Sequence, residues 1–292
     1  MITRPFGSTG IDVSALGFGA GHLDRAEDPA STLDAALDAG ITLFDTARGY
    51  GSSESAIGKW IGPHRDKLTL VTKVGYDVDG HEDWTGGAVT VGIDRALGQL
   101  QTDYLDVVLL HSCSLEVLRR GEVISALSDA VAAGKVRVMG YSGDNDELKW
   151  AVRSRRFGAI ETSVNFVDQW SARHVVTEAA AQGLGVIAKR PMANAAWRAN
   201  VRPVGQYSEE YWLRLRNIAT EHPQLLADPS MMETAIRFSA FVPGVSCAIG
   251  GSAKAHHVQE LANYVNAGPL PEAKVEHWTR AAAAHSDWKG MI

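Results

Sequence analysis

A carboxylate, a phenol, an ammonium and an imidazole stand at four separate places in this 292-residue chain: Asp45, Tyr50, Lys73 and His111. Each lies at or just beyond the end of an apolar, strand-like run. Asp45 closes ITLFD, Tyr50 follows in TARGY, Lys73 closes LTLVTK, and His111 closes YLDVVLLH. Brought to one rim, the four would make a proton-donating site. A phenol is a weak acid, with an ordinary pKa near ~10. A nearby ammonium favours the phenolate and so makes the phenol a better acid. Asp45 would hold that ammonium, because a lysine at the end of an inner strand is costly to bury unpaired. His111 would hydrogen-bond the oxygen that accepts the proton, as a neutral donor or as part of a proton relay. Alone, each of these residues reads more readily as packing or as a solvated strand end; it is the set, on successive strand ends, that points to chemistry.

The elements that must position them alternate. Apolar runs predict strands near 14–18, 41–45, 68–73, 104–110, 136–141, 159–164, 185–189 and 245–249, with amphipathic segments between them. That alternation indicates βα units and a parallel sheet. Eight units in a chain of this size predict an α/β fold of the (β/α)8 TIM-barrel type, as one domain over residues 1–292. RPFGSTGIDVSAL carries turn residues between two extended pieces and reads as an N-terminal β-hairpin that plugs the barrel bottom. Helix signals fill the gaps. Asp28 is the expected N-cap before Pro29, with Gly40 as the stop. GGAVTVGIDRALGQL has helical apolar spacing. LEVLRRGEVISALSDAVAAGK reads as one helical segment ending at Gly134, and NDELKWAVRSRR as a helix capped by Asp144 or Asn145. HVVTEAAAQG ends at Gly183, and PEAKVEHWTRAAAAHSDW is expected to pack helically on the outside.

The main irregularity is a long loop and helix insertion between strands seven and eight, residues 192–244. It exceeds an ordinary βα connection. Residues 192–207, with Trp197 and Tyr207, read either as a wall for substrate or cofactor or as the start of a peripheral insertion; helices are expected near 208–221 and 229–241. Loops after barrel strands build the active face. Candidate pocket residues on such loops are His22, Arg48, Tyr76, Trp84, Cys113 and Trp197. Arg48 would attract an anionic substrate or pair with Glu54.

Composition bounds the rest. The chain is 45% hydrophobic and carries a net charge of −6, with no long basic run, which disfavours nucleic acid as a partner. No stretch approaches the ~18 apolar residues of a membrane span, and MITRPFGSTG lacks a signal-peptide core. A cytoplasmic setting is the expectation. Cys113 and Cys247, both beside apolar runs, read as reduced buried thiols and not as a disulfide framework or metal cluster.

The ordered series DTARGY, TKV and LLH resembles the aldo-keto reductase family. LGFGAG near the start, GYGSSE around Tyr50, GKVRVMGYS at 134–142 and SVNFVDQ at 163–169 extend the resemblance across nearly the whole chain. It implies reduction of a carbonyl compound, or oxidation of an alcohol, by hydride from a nicotinamide, because no side chain supplies a hydride. It implies that Ser142 and Asn165 hold the nicotinamide carboxamide, although Asn165 also reads simply as a turn residue. Gly19 and Ala20 would let backbone approach the ribose. LGFGAGH is no Rossmann fingerprint, since His22 occupies the third glycine position. The segment IGGSAKAHHVQEL, opening a helix after strand eight, is the adenine-side signal. There Ser252 and Glu260 match the family pattern, His257 stands where arginine is common, Leu261 where asparagine is common, and Lys254 would meet a 2′-phosphate. NADP(H) is therefore the expected cofactor, with NAD(H) as the alternative. Three departures concern the cofactor: Gly143 follows Ser142 in place of asparagine, Glu161 replaces glutamine near the nicotinamide, and Lys189 replaces the aromatic that stacks on the ring. Arg190 would reach the pyrophosphate.

The expectation is a monomer or weak oligomer acting on a small-molecule carbonyl or alcohol. Two rivals remain: a non-catalytic nicotinamide-binding redox sensor or regulatory subunit, and a lyase or isomerase using Lys73 as a Schiff base.

Overall fold

The computed structural model describes residues 1–291. Eight parallel strands close into a barrel, and their residue types explain why: nearly every position is buried and most are apolar, as expected of strands covered on both faces. In chain order the strands are β1 (Thr3–Pro5), β2 (Asp12–Ser14), β3 (Leu16–Gly19), β4 (Leu43–Asp45), β5 (Thr69–Val74), β6 (Leu105–His111), β7 (Val136–Ser142), β8 (Ala159–Ser163), β9 (Gly185–Lys189) and β10 (Cys247–Gly250). Strands β3 to β10 pair in sequence, and β10 returns to β3 to close the barrel. The antiparallel pair β1–β2 lies outside it as the expected hairpin. Phe6, Ile11 and Val13 of this hairpin join Leu43, Val71, Val107, Leu109, Ile187 and Cys247 in one interior cluster, so the hairpin does stop the bottom of the barrel. Packing inside is tight enough that Gly140 admits no side chain: a Cβ there would lie 2.4 Å from Leu109.

The helices follow the strands: α1 (Pro29–Asp38), α2 (Ser53–Ile61), α3 (Gly86–Leu100), α4 (Leu115–Arg120), α5 (Glu122–Ala132), α6 (Asn145–Ser154), α7 (Thr177–Ala181), α8 (Glu209–Glu221), α9 (Pro223–Leu226), α10 (Met231–Ala240), α11 (Ala255–Asn266) and α12 (Glu272–Ala283). Asp28 caps α1 by accepting from the Ser31 amide at 3.2 Å. The segment expected to be one helix to Gly134 is two, because Gly121 at φ +80° ends α4 and turns the chain into α5. Asp144 precedes α6 but does not cap it; its carboxylate accepts from Thr162 Oγ1 at 2.7 Å and from the Ser163 amide at 2.9 Å. A π-turn over Ala172–Val176 leads into α7. The insertion after β9 supplies α8 to α10, which pack with α12 around Phe166, Tyr211 and Trp278 in a second cluster.

Register decides which side chains reach the C-terminal rim. Gly19 lies opposite Asp45, Lys73 opposite Leu109, His111 opposite Ser142, Ser142 opposite Glu161 and Ser163 opposite Lys189. The polar residues that end these apolar strands therefore gather at one mouth.

Candidate active site

A cleft of about 880 Å³ opens at this mouth. Asp45, Tyr50, His111, Ser112 and Glu161 line its inner part. Gly19 and Ile249, at the ends of β3 and β10, and Lys189 and Arg190, at and just after the end of the neighbouring β9, line it further. Met192, Asn194, Trp197, Arg198, Gln206 and Tyr207 form an outer wall, so the 192–207 segment belongs to the cleft.

Lys73 lies fully buried beneath this inner part. Its Nζ donates to Asp45 Oδ1 at 2.5 Å and to the Thr46 carbonyl at 3.1 Å, and stands 3.3 Å from Glu161 Oε2. The same ammonium sits 5.1 Å from the centre of the Tyr50 ring. Tyr50 and His111 meet edge to face, with ring centres 6.2 Å apart. Tyr76 Oη is 3.1 Å from His111 Nδ1, which fixes the imidazole and leaves its other nitrogen for a ligand.

Three buried charges shape every proton here. Burial would lower the Lys73 ammonium, but Asp45 and Glu161 more than offset it and raise it, so the cation persists. Burial and the Glu161 charge push the Asp45 carboxyl well up against the pull of Lys73. For Glu161 burial works upward too, yet Lys73 and Lys189 outweigh it and hold the group below its ordinary value. The two carboxylates titrate as a pair around one ammonium. His111 is driven down to about 3, by burial first and Lys73 second, which keeps it neutral. Tyr50 is raised to about 12 by burial, with Lys73 pulling the other way. The ammonium does ease ionisation of the phenol, as the sequence suggests, but desolvation is the larger effect.

The other candidates divide. His22, Trp197, Ser252 and His257 line the cleft, and Ser252 Oγ meets His257 Nδ1 at 3.1 Å. Arg48, Tyr76, Trp84 and Cys113 do not. Arg48 pairs with Asp77 at 3.4 Å, while Glu54 is taken by Thr72. Tyr76 acts behind His111 and packs on Trp84. Cys113 is buried, which pushes its thiol up to about 12. Ala20 is buried, its amide donating to the Asp45 carbonyl. Lys254 is exposed just ahead of α11, outside the cleft lining, and Glu260 accepts from Tyr264 Oη at 2.7 Å. Ser142 and Asn165 are wholly buried and lie outside the cleft lining. Asn165 Oδ1 accepts from the amides of Val167 and Asp168, and its Nδ2 donates to the Arg190 carbonyl, so both ends of its amide serve the turn after β8. Arg190 itself donates to Ser163 Oγ and to the Met291 carbonyl. Sequence reasoning did not single out Arg25, Ser112 or Arg198, all in the lining. For Arg198 a signal existed, a cation inside an aromatic loop after a barrel strand.

The model of the aldo/keto reductase family matches residues 15–283. The chain belongs to this family. An uncharacterised oxidoreductase of Bacillus subtilis (strain 168), YqkF, is 26% identical over 94% of this chain and 95% of its own length. An L-galactose dehydrogenase of Arabidopsis thaliana is 31% identical over 65% of each chain. In fold, the chain is similar to the holo form of the aldo-keto reductase AKR11C1 from Bacillus halodurans: TM-score 0.81, 24% identity, with 97% of this chain and 96% of that one covered. Aldo-keto reductases are oxidoreductases of small carbonyl compounds that generally use NAD(P)H, and the eight-stranded barrel with its N-terminal hairpin is theirs. Among the described residues no helix is long and apolar enough to cross a membrane.

Proposed function

We propose that this protein is an NADP(H)-dependent reductase of aldehydes or ketones, sugars among them, working reversibly toward alcohol oxidation with Tyr50 as the general acid. One observation carries the reading: the Tyr50 ring lies edge-on to His111, with the Lys73 ammonium 5.1 Å from the ring centre, and both rings line one cleft. The neutral imidazole, held at Nδ1 by Tyr76, donates from its free nitrogen to the carbonyl oxygen and orients it. As negative charge grows on that oxygen, Tyr50 delivers its proton. A phenol near 12 stays protonated at any working pH and is still far more acidic than the alcohol formed. Lys73, kept charged by Asp45 and Glu161, stabilises the phenolate left behind. A bound reduced nicotinamide would supply the hydride.

The cleft suits that group in two ways. Bare backbone at Gly19, Gly21 and Gly251 allows close approach, and the guanidinium groups of Arg25 and Arg198, with His257 also in the lining, favour phosphate. The Arg198 charge acts on His257 as that of Lys254 does. A 2′-phosphate would add an anion for these groups to meet, and on that ground NADP(H) is proposed over NAD(H). The L-galactose dehydrogenase relative favours a polyhydroxylated carbonyl substrate. We take residues 1–292 as a single barrel domain.

Tyr50→Phe is the test. Reduction of simple aldehydes, followed by NADPH absorbance, should fall by ~10²–10⁴-fold, the usual worth of a positioned acid. NADPH binding, followed by protein fluorescence, should stay within a few-fold of wild type. Full turnover in this variant would remove Tyr50 as the acid.

A further inference from the structure

Glu161 is a carboxylate that the proton-transfer chemistry above does not require. It is 1% exposed, it lines the cleft, and its Oε2 accepts no hydrogen bond. Ser142 Oγ donates to the other oxygen at a long 3.3 Å. A buried ionised oxygen without a donor is costly unless a positive charge offsets it. The nearest cation is Lys73 at 3.3 Å, but that ammonium is engaged more closely by Asp45 at 2.5 Å. The next one, Lys189, is paired with Asp144 at 3.4 Å. Of the two carboxylates around one ammonium, Glu161 is thus the one held ionised, and it faces the cleft with its cation engaged more closely on the far side by Asp45.

The consequence depends on what else must sit there, and so rests on the proposed reductase function. A hydride donor has to reach the carbon whose oxygen is held by Tyr50 and His111, within ~3–3.5 Å for reaction. Its ring must therefore share the inner cleft with Glu161. A nicotinamide ring carries a positive charge when oxidised and none when reduced. We propose that Glu161 makes this protein discriminate between the two forms of its cofactor, stabilising the oxidised, pyridinium form over the neutral dihydropyridine. Tighter holding of the oxidised form lowers the reduction potential of the bound nicotinamide and favours hydride donation to the carbonyl.

Equilibrium binding tests this without turnover. NADP⁺ and NADPH are titrated separately at pH 8 into wild type, Glu161→Gln and Glu161→Asp, with protein fluorescence as the readout. Wild type should bind NADP⁺ more tightly than NADPH. The ratio of the two dissociation constants should shift toward NADPH by about tenfold in Glu161→Gln, ~1.4 kcal/mol on the usual conversion, and stay near wild type in Glu161→Asp, which keeps the charge. Circular dichroism of each variant confirms folding, and the wild-type ratio stands as a test even if a variant fails to fold. Equal ratios in wild type and Glu161→Gln, or a wild type that favours NADPH, overturn the role of Glu161 while leaving the reductase reading in place. No binding of either form by wild type overturns both.

Discussion

Lys73 is a fully buried ammonium between two carboxylates, and its removal would strand both. Replacing one partner of a buried ion pair typically costs ~3–5 kcal/mol, because the remaining charge is left uncompensated. Lys73→Met should accordingly lower the unfolding free energy in urea by ~3 kcal/mol or more, in addition to slowing proton transfer. A variant within ~1 kcal/mol of wild type would show that Asp45 and Glu161 are both neutral in the native state. Ring geometry matters as much as charge here. His111 is held by Tyr76 from behind, so a residue outside the cleft sets the direction in which the imidazole points. Nothing in the spacing of Tyr76 distinguishes that role from a pocket wall; both place an aromatic one loop beyond β5.

Elements are held at the rim by packing that leaves little slack. Gly58 of α2 faces the end of α3, where a Cβ would lie 2.1 Å from the Gln99 carbonyl oxygen and 2.9 Å from Leu100 backbone atoms. Alanine normally improves a helix interior over glycine by ~1 kcal/mol. Here the obstacle is backbone, which cannot rotate away, and overpacking costs ~1–3 kcal/mol. The clash should win: Gly58→Ala is expected to melt several degrees below wild type by calorimetry, at ~2–4 °C per kcal/mol for larger domains. A higher melting temperature would mean that α2 and α3 part freely. The 192–207 segment shows the other limit of sequence reading. Its aromatic content was visible, but whether it faced the cleft depended on how α8, α10 and α12 pack beneath it.

Across the whole molecule, a second group of buried charges ties remote parts of the chain together. Asp168 accepts from Tyr211 Oη and from the Met291 amide, both at 3.0 Å, and lies 3.8 Å from Arg214. Arg214 in turn donates to the Lys289 carbonyl at 2.7 Å, so the insertion helix α8 and the segment 289–291 are joined through this pair. Burial, followed by the Asp144 charge, raises Asp168 to about 6. A raised carboxyl contributes stability below its unfolded value of 3.8, and that contribution is lost as pH rises through 6. Above pH 6 the ionised group depends on Arg214. Arg214→Met should therefore cost ~3 kcal/mol at pH 8 and distinctly less at pH 5, measured by urea unfolding at the two pH values. Equal losses would show that Asp168 does not titrate between pH 5 and pH 8.

Residue types and their order along the chain were enough to identify the alternating βα plan, the hairpin, most helix limits and the four polar strand ends, because strand period, caps and turn residues act over a few neighbours. The family resemblance marked Glu161 as a departure, standing where glutamine is common. What Glu161 touches, by contrast, is decided only when β8 closes beside β7 and the barrel interior brings it to Lys73, 88 positions away in the sequence. The same holds for Asn165, whose amide is taken up by the turn after β8, and for Arg190, engaged by Met291. Local signals specify which elements form. Distances between charges on different strands, and the loss of water that sets their proton affinities, exist only after the barrel has closed.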